Sequence, residues 1–208
     1  MANVEYSAYF CIKLFYMKKL VLTTFAIAAT LFVSAQKGAS SSVKLTSENT
    51  TVTWLGKKVG GSHEGAISVK EGVLNLEKGM LKNGKVVIDM NTITCTDIAD
   101  KEKNAYLVGH LKNEDFFNVS AHQTATLEIV SVKAAKGGKV AITGNLTIKG
   151  ITKPVSFMAT VNSKNGFQAT ATLVFDRTKY DIKYASGIIG TVADKAIEDN
   201  VTLKITIK

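Results

Sequence analysis

Apolar and polar residues alternate with a period of two along most of this 208-residue chain after residue 50. The alternation is clearest in residues 167–175 and 201–207. Because successive side chains of a β-strand point to opposite faces, this period indicates strands with one buried and one solvated face. The region shows no regular βα alternation, which argues against a parallel, nucleotide-binding sheet. The sequence therefore predicts an all-β protein of antiparallel strands.

Turn signals divide the alternating region into about eight strands. Asn83–Gly84 and Asn165–Gly166 are the strongest signals, because both residue types tolerate the positive φ angles of a two-residue hairpin. Gly137–Gly138 and Glu71–Gly72 mark further turns, and the single proline, Pro154, is expected in a tight connection between two strands. Regular hairpin spacing without long helical patterns favours a sheet that closes into a barrel.

One helical insertion is expected where the alternation stops, between residues 94 and 121. Asp100 is a suitable N-cap for a helix over 101–111, and Glu102 in its first turn interacts favourably with the helix dipole. The apolar residues of this segment form only a partial face. They are Ala105, Leu107, Val108 and Leu111.

The N-terminal region has the layout of a secretory signal peptide. Lys18 and Lys19 precede an apolar run, and small residues lead to Ala35. We expect residues 1–35 to be a signal-peptide helix that starts at Met17 and is cleaved near Ala35, followed by a flexible linker over 36–49 and a barrel over 50–208. This predicts a periplasmic or secreted protein, and the alternative is a retained N-terminal anchor.

The formal net charge of +9 comes from dispersed lysines, and Arg177 is the only arginine. Dispersed lysines without a nucleic-acid-binding motif indicate a solvated outer face rather than a nucleic-acid partner. A negatively charged membrane surface remains compatible with this charge as a peripheral partner. If the upstream residues are absent from the mature chain, Cys95 is a lone thiol and forms no intrachain disulfide.

The residue types needed for catalysis are not arranged in a known pattern. His63, His110 and His122 lack metal-ligand spacing, and the chain has no nucleophile elbow or glycine-rich phosphate loop. We therefore predict no catalytic residues, no metal site and no cofactor. A hydrolase that uses His110 is kept as a further hypothesis.

Small residues are expected to leave the barrel hollow. Gly144, Ala159, Ala169 and Ala171 fall near the middles of strands on the apolar register, with Leu and Phe nearer the strand ends. An eight-stranded barrel either fills with side chains or holds one small ligand. An apolar ligand suits a space that offers water few polar partners. The alternative is that helix 101–111 or large side chains from other strands fill the space.

The candidate ligand-binding residues combine this inward register with the residues around the helix. Trp54 is expected to pack inside with its indole N–H at the rim, and His110 either ties the helix to the barrel or donates to a ligand head group. Phe116 and Phe117 plug the core or cover a pocket. The full set is Trp54, Ile88, Met90, His110, Phe116, Phe117, Ile142, Gly144, Leu146, Phe157, Ala159, Ala169, Ala171, Leu173 and Leu203.

Several segments, taken together in their order and spacing, resemble the YceI-like family. They are residues 54–65 and 88–90, His110-Leu111 with Asp115-Phe116-Phe117, residues 124–127, 142–147 and 150–155, and Asp176-Arg177 with Tyr180 and Ile182. The resemblance covers nearly the whole mature chain, although Leu127 stands where an aromatic residue is common. It implies a lipocalin-like extended barrel, secretion to the periplasm, a tendency to form homodimers, and no established catalysis. It also implies a long-chain apolar ligand such as a polyisoprenoid, an isoprenoid quinone or a fatty amide.

The function predicted on these grounds is non-enzymatic binding, transport or storage of a long-chain apolar lipid. Its driving force is the removal of the lipid tail from water, about 25 cal/mol per Å² of apolar surface. The alternative is a filled barrel that acts as a structural or stress-response interaction protein without a ligand.

Overall fold

The alternating segments fold into antiparallel strands in the computed structural model, which describes residues 40–164, 166–187 and 196–208. Within these ranges, the strands are accompanied by one α-helix, α1 (Lys101–Lys112), and by the 3-10 turns Met90–Thr92 and Arg177–Tyr180. The strands are β1 (Ser40–Leu45), β2 (Thr50–Lys58), β3 (Gly61–Glu77), β4 (Met80–Asp89), β5 (Thr124–Ala134), β6 (Lys139–Ile148), β7 (Ile151–Asn162), β8 (Gln168–Asp176) and β9 (Ile197–Ile207).

Eight of these strands close into a barrel. From β2 the order runs through β9, β8, β7, β6, β5 and β4, and β3 pairs with both β4 and β2. All of the pairings between these strands are antiparallel. The predicted fold, an all-β antiparallel barrel of about eight strands with one helical insertion, is confirmed.

Part of the predicted flexible linker over residues 36–49 forms the ninth strand, β1. Residues 40–45 pair with β3 from Ser40↔Glu77 to Leu45↔Gly72, and Leu45 is only 1% exposed. A turn over Thr46–Asn49 then leads into β2, which pairs with the preceding part of β3. The serine-rich composition suggested mobility, but Val43 and Leu45 already alternate with polar residues and pack against the core.

The predicted signal peptide, the start at Met17 and linker residues 36–39 lie outside the described residues, so they stay predictions. Within the described ranges, no helix has both the length and the apolar character needed to cross a membrane.

Two predicted turns near β3 are wrong. Asn83–Gly84 lies inside β4, and the chain instead reverses at Lys78–Gly79, which have φ angles of 52° and 75°. Gly84 is needed for strand packing, since a Cβ there would lie 2.7 Å from the Val73 carbonyl oxygen. Glu71–Gly72 is not a turn either, because β3 continues through both residues, with a bulge between Val69 and Glu71.

Pro154 lies in β7 rather than in the connection before it. The reversal falls at Lys149–Gly150, with φ angles of 51° and 74°, and Pro154 pairs with Asn145 of β6. β8 pairs with β7 only from Met158 onward, which leaves an open edge that tolerates a residue without an N–H. The predicted turn at Gly137–Gly138 is confirmed by φ angles of 70° and 71°, whereas Asn165 lies outside the described residues.

The helix forms as predicted and covers one end of the barrel. The Asp100 side chain accepts hydrogen bonds from the N–H groups of Glu102 and Lys103, which caps the first turn. Leu111 is the buried residue of α1 and packs with Phe116 and Trp54 in the core cluster at this end. The opposite end holds a second cluster, which includes Leu45, Leu74, Leu81 and Phe167.

Candidate functional site

The barrel encloses an apolar cavity of about 240 Å³ that runs between the two core clusters. Every strand from β2 to β9 contributes apolar side chains to its wall, and α1 adds Leu107 and Leu111. This arrangement follows from the period of two, because each strand turns one set of alternate residues inward. The interior is therefore hollow, as the mid-strand alanines indicated.

Thirteen of the fifteen predicted residues border this cavity. Ala159 of β7 and Ala171 of β8 are direct cross-strand partners, so the two small side chains lie side by side and recess one part of the wall. The predicted residues that the structure brings together are Trp54, Ile88, Met90, Phe116, Phe117, Ile142, Leu146, Phe157, Ala159, Ala169, Ala171, Leu173 and Leu203.

Gly144 does not border the cavity, and its small size has a different cause. A Cβ at this position would lie 2.5 Å from the Glu128 carbonyl oxygen of β5. β5 carries a bulge between Ile129 and Ser131, next to the Ile129↔Gly144 pair. Gly144 therefore permits close approach of two strands and does not widen the interior.

His110 also lies outside the cavity wall. Its Nε2 atom is 3.1 Å from an Asp115 carboxylate oxygen, and its ring packs edge-on against Phe116 and Tyr184 at centroid distances of 4.9 and 4.7 Å. The imidazole thus joins α1 to the loop after it and to the segment before β9. These contacts favour the structural interpretation of His110 over a head-group role.

Trp54 spans the interior and the end of the barrel. Its ring borders the cavity, and its indole N–H donates to the Thr94 carbonyl oxygen at 2.9 Å. The loop after β4 is held tightly against β3 here, since Thr94 N–H donates to Ala66 and a Cβ on Gly65 would collide with the Thr94 carbonyl. Gly65 is therefore required by close approach of the backbone and of the indole ring.

The sequence reasoning missed much of the wall in the N-terminal strands. Val52 shares the parity of Trp54 in β2, and Val86 shares that of Ile88 in β4, so parity was the available signal for these two. The apolar wall residues outside the predicted set of fifteen are Leu45, Val52, Ile67, Val69, Leu74, Leu81, Val86, Ile93, Leu107, Leu111, Ala125, Leu127, Ile129, Ile148, Val161, Phe167, Phe175, Ile182, Ile197, Val201, Ile205 and Ile207.

Arg177 borders the cavity as a buried cation, with only 2% of its surface exposed. Burial lowers the pKa of Arg177, while the nearby carboxylates of Asp199 and Asp176 oppose that change. All five guanidinium N–H groups are used within the protein, so none is left for a ligand. The acceptors are the carbonyl oxygens of Glu198, Ile182, Tyr184 and Ile197 and one carboxylate oxygen of Asp199.

The cavity opens beside the β2–β3 hairpin. Among the described residues that line it, only Lys57, Lys58 and Glu198 are exposed. His63 is half-buried at the same end, and its Nδ1 atom lies 2.8 Å from an Asp97 carboxylate oxygen. The open end is therefore polar, although the wall behind it is apolar.

Asp97 is a fixed anion behind this rim. Partial burial alone would raise its pKa, but hydrogen bonds from the Glu64 N–H, from His63 and from the Cys95 thiol outweigh that effect and lower the pKa to about 2. Burial raises the pKa of the Cys95 thiol, and the hydrogen bond to Asp97 adds to that rise.

The described residues contain no group of three or more His, Cys, Asp or Glu side chains that could hold a metal ion. The arrangement is suited instead to an apolar chain, because water in the cavity would find few polar partners.

Comparison with protein families gives a match over most of the chain. The profile of a family described as "YceI-like domain" matches residues 37–208. A "UPF0312 protein" of Ectopseudomonas mendocina is 35% identical over 122 residues, which are 52% of this chain and 61% of that protein. A relative of the same description from Pseudomonas aeruginosa is 40% identical over 98 residues, 43% of this chain and 47% of its own length. The matches thus span less than two thirds of these two relatives.

Two solved structures share the fold. Burkholderia cenocepacia BcnA has a TM-score of 0.58 at 23% identity, with 76% of this chain and 94% of that chain covered. A polyisoprenoid-binding domain from Saccharophagus degradans, implicated in plant cell wall breakdown, has a TM-score of 0.56 at 12% identity, with 81% of this chain and 97% of that chain covered.

Proposed function

Because the chain belongs to the YceI-like domain family, we propose that it binds a long-chain apolar lipid inside the barrel and carries or stores it without chemical change. The observation that carries this proposal is the apolar cavity of about 240 Å³, open at one polar end. A polyisoprenoid is one such lipid, and the Saccharophagus domain of similar fold is named for binding one. An isoprenoid quinone or a fatty amide has the same elongated apolar form.

The physical basis is desolvation of the tail. Each Å² of apolar surface removed from water contributes about 25 cal/mol, so a tail that buries a few hundred Å² gains several kcal/mol before ordering costs are subtracted. The cavity is preformed within closed backbone hydrogen bonding, which keeps the cost of ordering the protein low. A filled barrel without a ligand is less well supported, since the described side chains leave this volume empty.

A hydrolase based on His110 is also poorly supported, because that imidazole pairs with Asp115 outside the cavity wall. Export of the protein, with residues 1–35 as the signal peptide, belongs to the same proposal. We also propose that the exposed lysines make transient contact with an anionic membrane surface. We further propose that the protein forms a homodimer in solution.

Native purification followed by lipid extraction and mass spectrometry tests the proposal. We expect one long-chain lipid per barrel. Trp54 is the only tryptophan and borders the cavity, so the emission of delipidated protein should change in a saturable way when a long-chain lipid is added. Protein that purifies without lipid, and whose emission does not respond to long-chain alcohols, amides or esters, would overturn it.

A further inference from the structure

Most of the net positive charge of the described chain lies at one end of the barrel. The described residues carry 21 Lys and Arg against 15 Asp and Glu. Three hairpin tips, residues 77–82, 133–139 and 162–164, hold six of these lysines and one acidic residue, Glu77. We call these three tips the basic end, and five of the six net charges lie there. Its lysines are Lys78, Lys82, Lys133, Lys136, Lys139 and Lys164.

Hydrogen bonds join the three tips into one surface. Ser163 Oγ donates to the Gly79 carbonyl oxygen at 3.0 Å, which links the β7–β8 tip to the β3–β4 tip. On the other side, the Val161 N–H donates to the Gly138 carbonyl oxygen at 3.3 Å, next to the β5–β6 tip. Lysines that are dispersed in the sequence are therefore gathered by the fold.

The opposite end of the barrel has balanced charge. Strand β3 separates the two ends, because it begins at the β2–β3 hairpin beside the cavity opening and finishes at Glu77. The described residues at the end with the opening include ten Lys and Arg and eleven Asp and Glu. They are counted over residues 57–64, 89–115, 149–153, 176–187 and 196–199. The positive charge is thus a property of one end and not of the whole outer face.

The lysines of the basic end are available to a partner. All six are exposed, and one of them, Lys82, forms an ion pair with Glu77 at 3.4 Å. The other five form no ion pair with any described residue. Because like charges repel one another, such a cluster does not stabilise the fold by itself. An anionic partner would relieve this repulsion.

The surface of the basic end suits a lipid bilayer. Met80 is 66% exposed at the β3–β4 tip, between Lys78 and Lys82. An apolar side chain flanked by lysines fits the interface of an anionic bilayer, where the apolar group enters the acyl boundary and the ammonium groups meet phosphates. The described residues of the three tips include no arginine and no aromatic ring, the side chains that nucleic-acid-binding surfaces use for bidentate contacts and base stacking.

We propose that the basic end docks the barrel on an anionic phospholipid bilayer, with Met80 in the interface and the lysines on lipid phosphates. A barrel docked in this way turns its cavity opening away from the bilayer. This inference rests on the membrane contact included in the proposed function and names the surface that makes it.

The test measures cosedimentation of the natively purified protein with vesicles of phosphatidylcholine, with and without phosphatidylglycerol, at low and high salt. We expect binding to the anionic vesicles alone, and its loss at high salt. Each lysine near an anionic surface strengthens binding about fivefold, so the triple variant Lys133→Gln, Lys136→Gln, Lys139→Gln should bind roughly a hundredfold more weakly than the parent.

A matched triple variant changes the net charge by the same amount at the opposite end. Lys101→Gln, Lys103→Gln, Lys153→Gln replaces three exposed lysines there and should bind as the parent does. Residues 1–39 are common to the parent and both variants, so the comparison isolates the basic end. Melting temperatures confirm that each variant is folded.

Met80 has its own pair of variants. Met80→Ser should weaken binding to the anionic vesicles about tenfold, because it removes an apolar side chain from the interface. Val130→Ser is the control, since Val130 is 59% exposed on β5 outside the basic end and should leave binding unchanged. Equal effects of the two changes would overturn the insertion of Met80.

NMR of the parent on anionic nanodiscs gives a readout that needs no variant. A paramagnetic lipid head group should broaden the amide signals of Met80, Gly138 and Lys164. The indole N–H of Trp54, which donates to Thr94 at the opposite end, should stay sharp. Broadening of the indole signal without broadening at the three tips would overturn the docked orientation.

The outcomes separate this inference from the proposed function. Equal weakening by the two triple variants would overturn the basic end as the docking surface, while membrane contact stands. Absence of any binding to anionic vesicles would overturn membrane contact itself. Binding of a DNA duplex by the parent, with no binding to vesicles, would overturn the inference in favour of nucleic acid. Lipid extracted from the same samples reports binding inside the barrel independently of all three results.

Discussion

At the scale of single residues, Arg177 shows how a buried charge organises the open end of the barrel. Its guanidinium joins the second 3-10 turn to the segment at Ile182 and Tyr184 and to the start of β9. The sequence marked Arg177 as the sole arginine and, beside Asp176, as part of the resemblance to the YceI-like family, but it assigned no contact to the side chain. Its role was not predictable because four of its acceptors are backbone carbonyls, which any residue supplies.

Replacement of Arg177 by methionine should therefore destabilise the protein strongly. The change leaves buried carbonyl oxygens without donors and Asp199 without its cation, so we expect the free energy of unfolding to fall by about 3 kcal/mol or more. Urea unfolding measures it. The matched control is Lys179→Met, because that side chain is 65% exposed and its ion pair with Asp176 contributes little. Equal stability of the two variants would contradict this role.

The low pKa of Asp97 predicts that the free energy of unfolding falls at acid pH. Its pKa of about 2 lies below the ordinary value of 3.8, so the folded state holds the proton more weakly than the unfolded state. This contribution is complete above about pH 4 and is lost as the pH falls through about 2. Asp97→Asn should remove it.

Unfolding curves at pH 4 and pH 2 measure this effect. We expect the parent to lose more stability between the two values than Asp97→Asn loses, and Glu114→Gln, at an exposed carboxylate in the loop after α1, to behave as the parent does. Identical losses in the parent and in Asp97→Asn would show that the hydrogen bonds to Asp97 do not stabilise the fold.

At the scale of elements, local signals predicted the helix better than the turns. Asp100 caps α1 as predicted, because N-capping depends on a few neighbouring atoms. The turns predicted at Asn83–Gly84 and at Pro154 were wrong because the continuation of a strand depends on cross-strand partners that are distant in sequence. The inward register of β7, β8 and β9 was predictable from alternation alone, whereas β1 was hidden by its composition.

Gly144, which lies opposite the bulge in β5, allows a test of the close approach of β5 and β6. A methyl group there would press against the Glu128 carbonyl, so Gly144→Ala should lower the free energy of unfolding by about 1–3 kcal/mol. The same change at Gly109 of α1, where no described atom beyond the local helix backbone lies within 4 Å of the Cβ position, should raise stability by about 0.5–1 kcal/mol. Thermal denaturation compares the two, and a stabilised Gly144→Ala would refute the close-approach explanation.

At the scale of the whole molecule, the apolar cavity was predictable and its polar rim was not. Small residues at mid-strand on one parity indicated empty space, and Ala159, Ala169 and Ala171 border it. Lys58 and His63 share the inward parity of Trp54, but alternation reasoning assigns polar residues to the solvated face. Gly144 was assigned to the cavity because a small residue that widens a space and one that admits a neighbouring strand look alike in sequence.

The hollow interior gives a decisive prediction at Ala171. This side chain borders the cavity beside Ala159, so Ala171→Trp should place its ring in empty space, keep the thermal stability of the delipidated parent and exclude the lipid tail. In a filled barrel the same ring would overpack the core and cost about 1–3 kcal/mol or more.

Thr172→Trp is the matched control, because the next residue of β8 is exposed on the opposite face and should keep both stability and lipid. Co-purified lipid and melting temperature are measured for all three proteins. A strongly destabilised Ala171→Trp, made from a parent that carries no lipid, would refute the carrier hypothesis, because it would show that the barrel has no room for a tail.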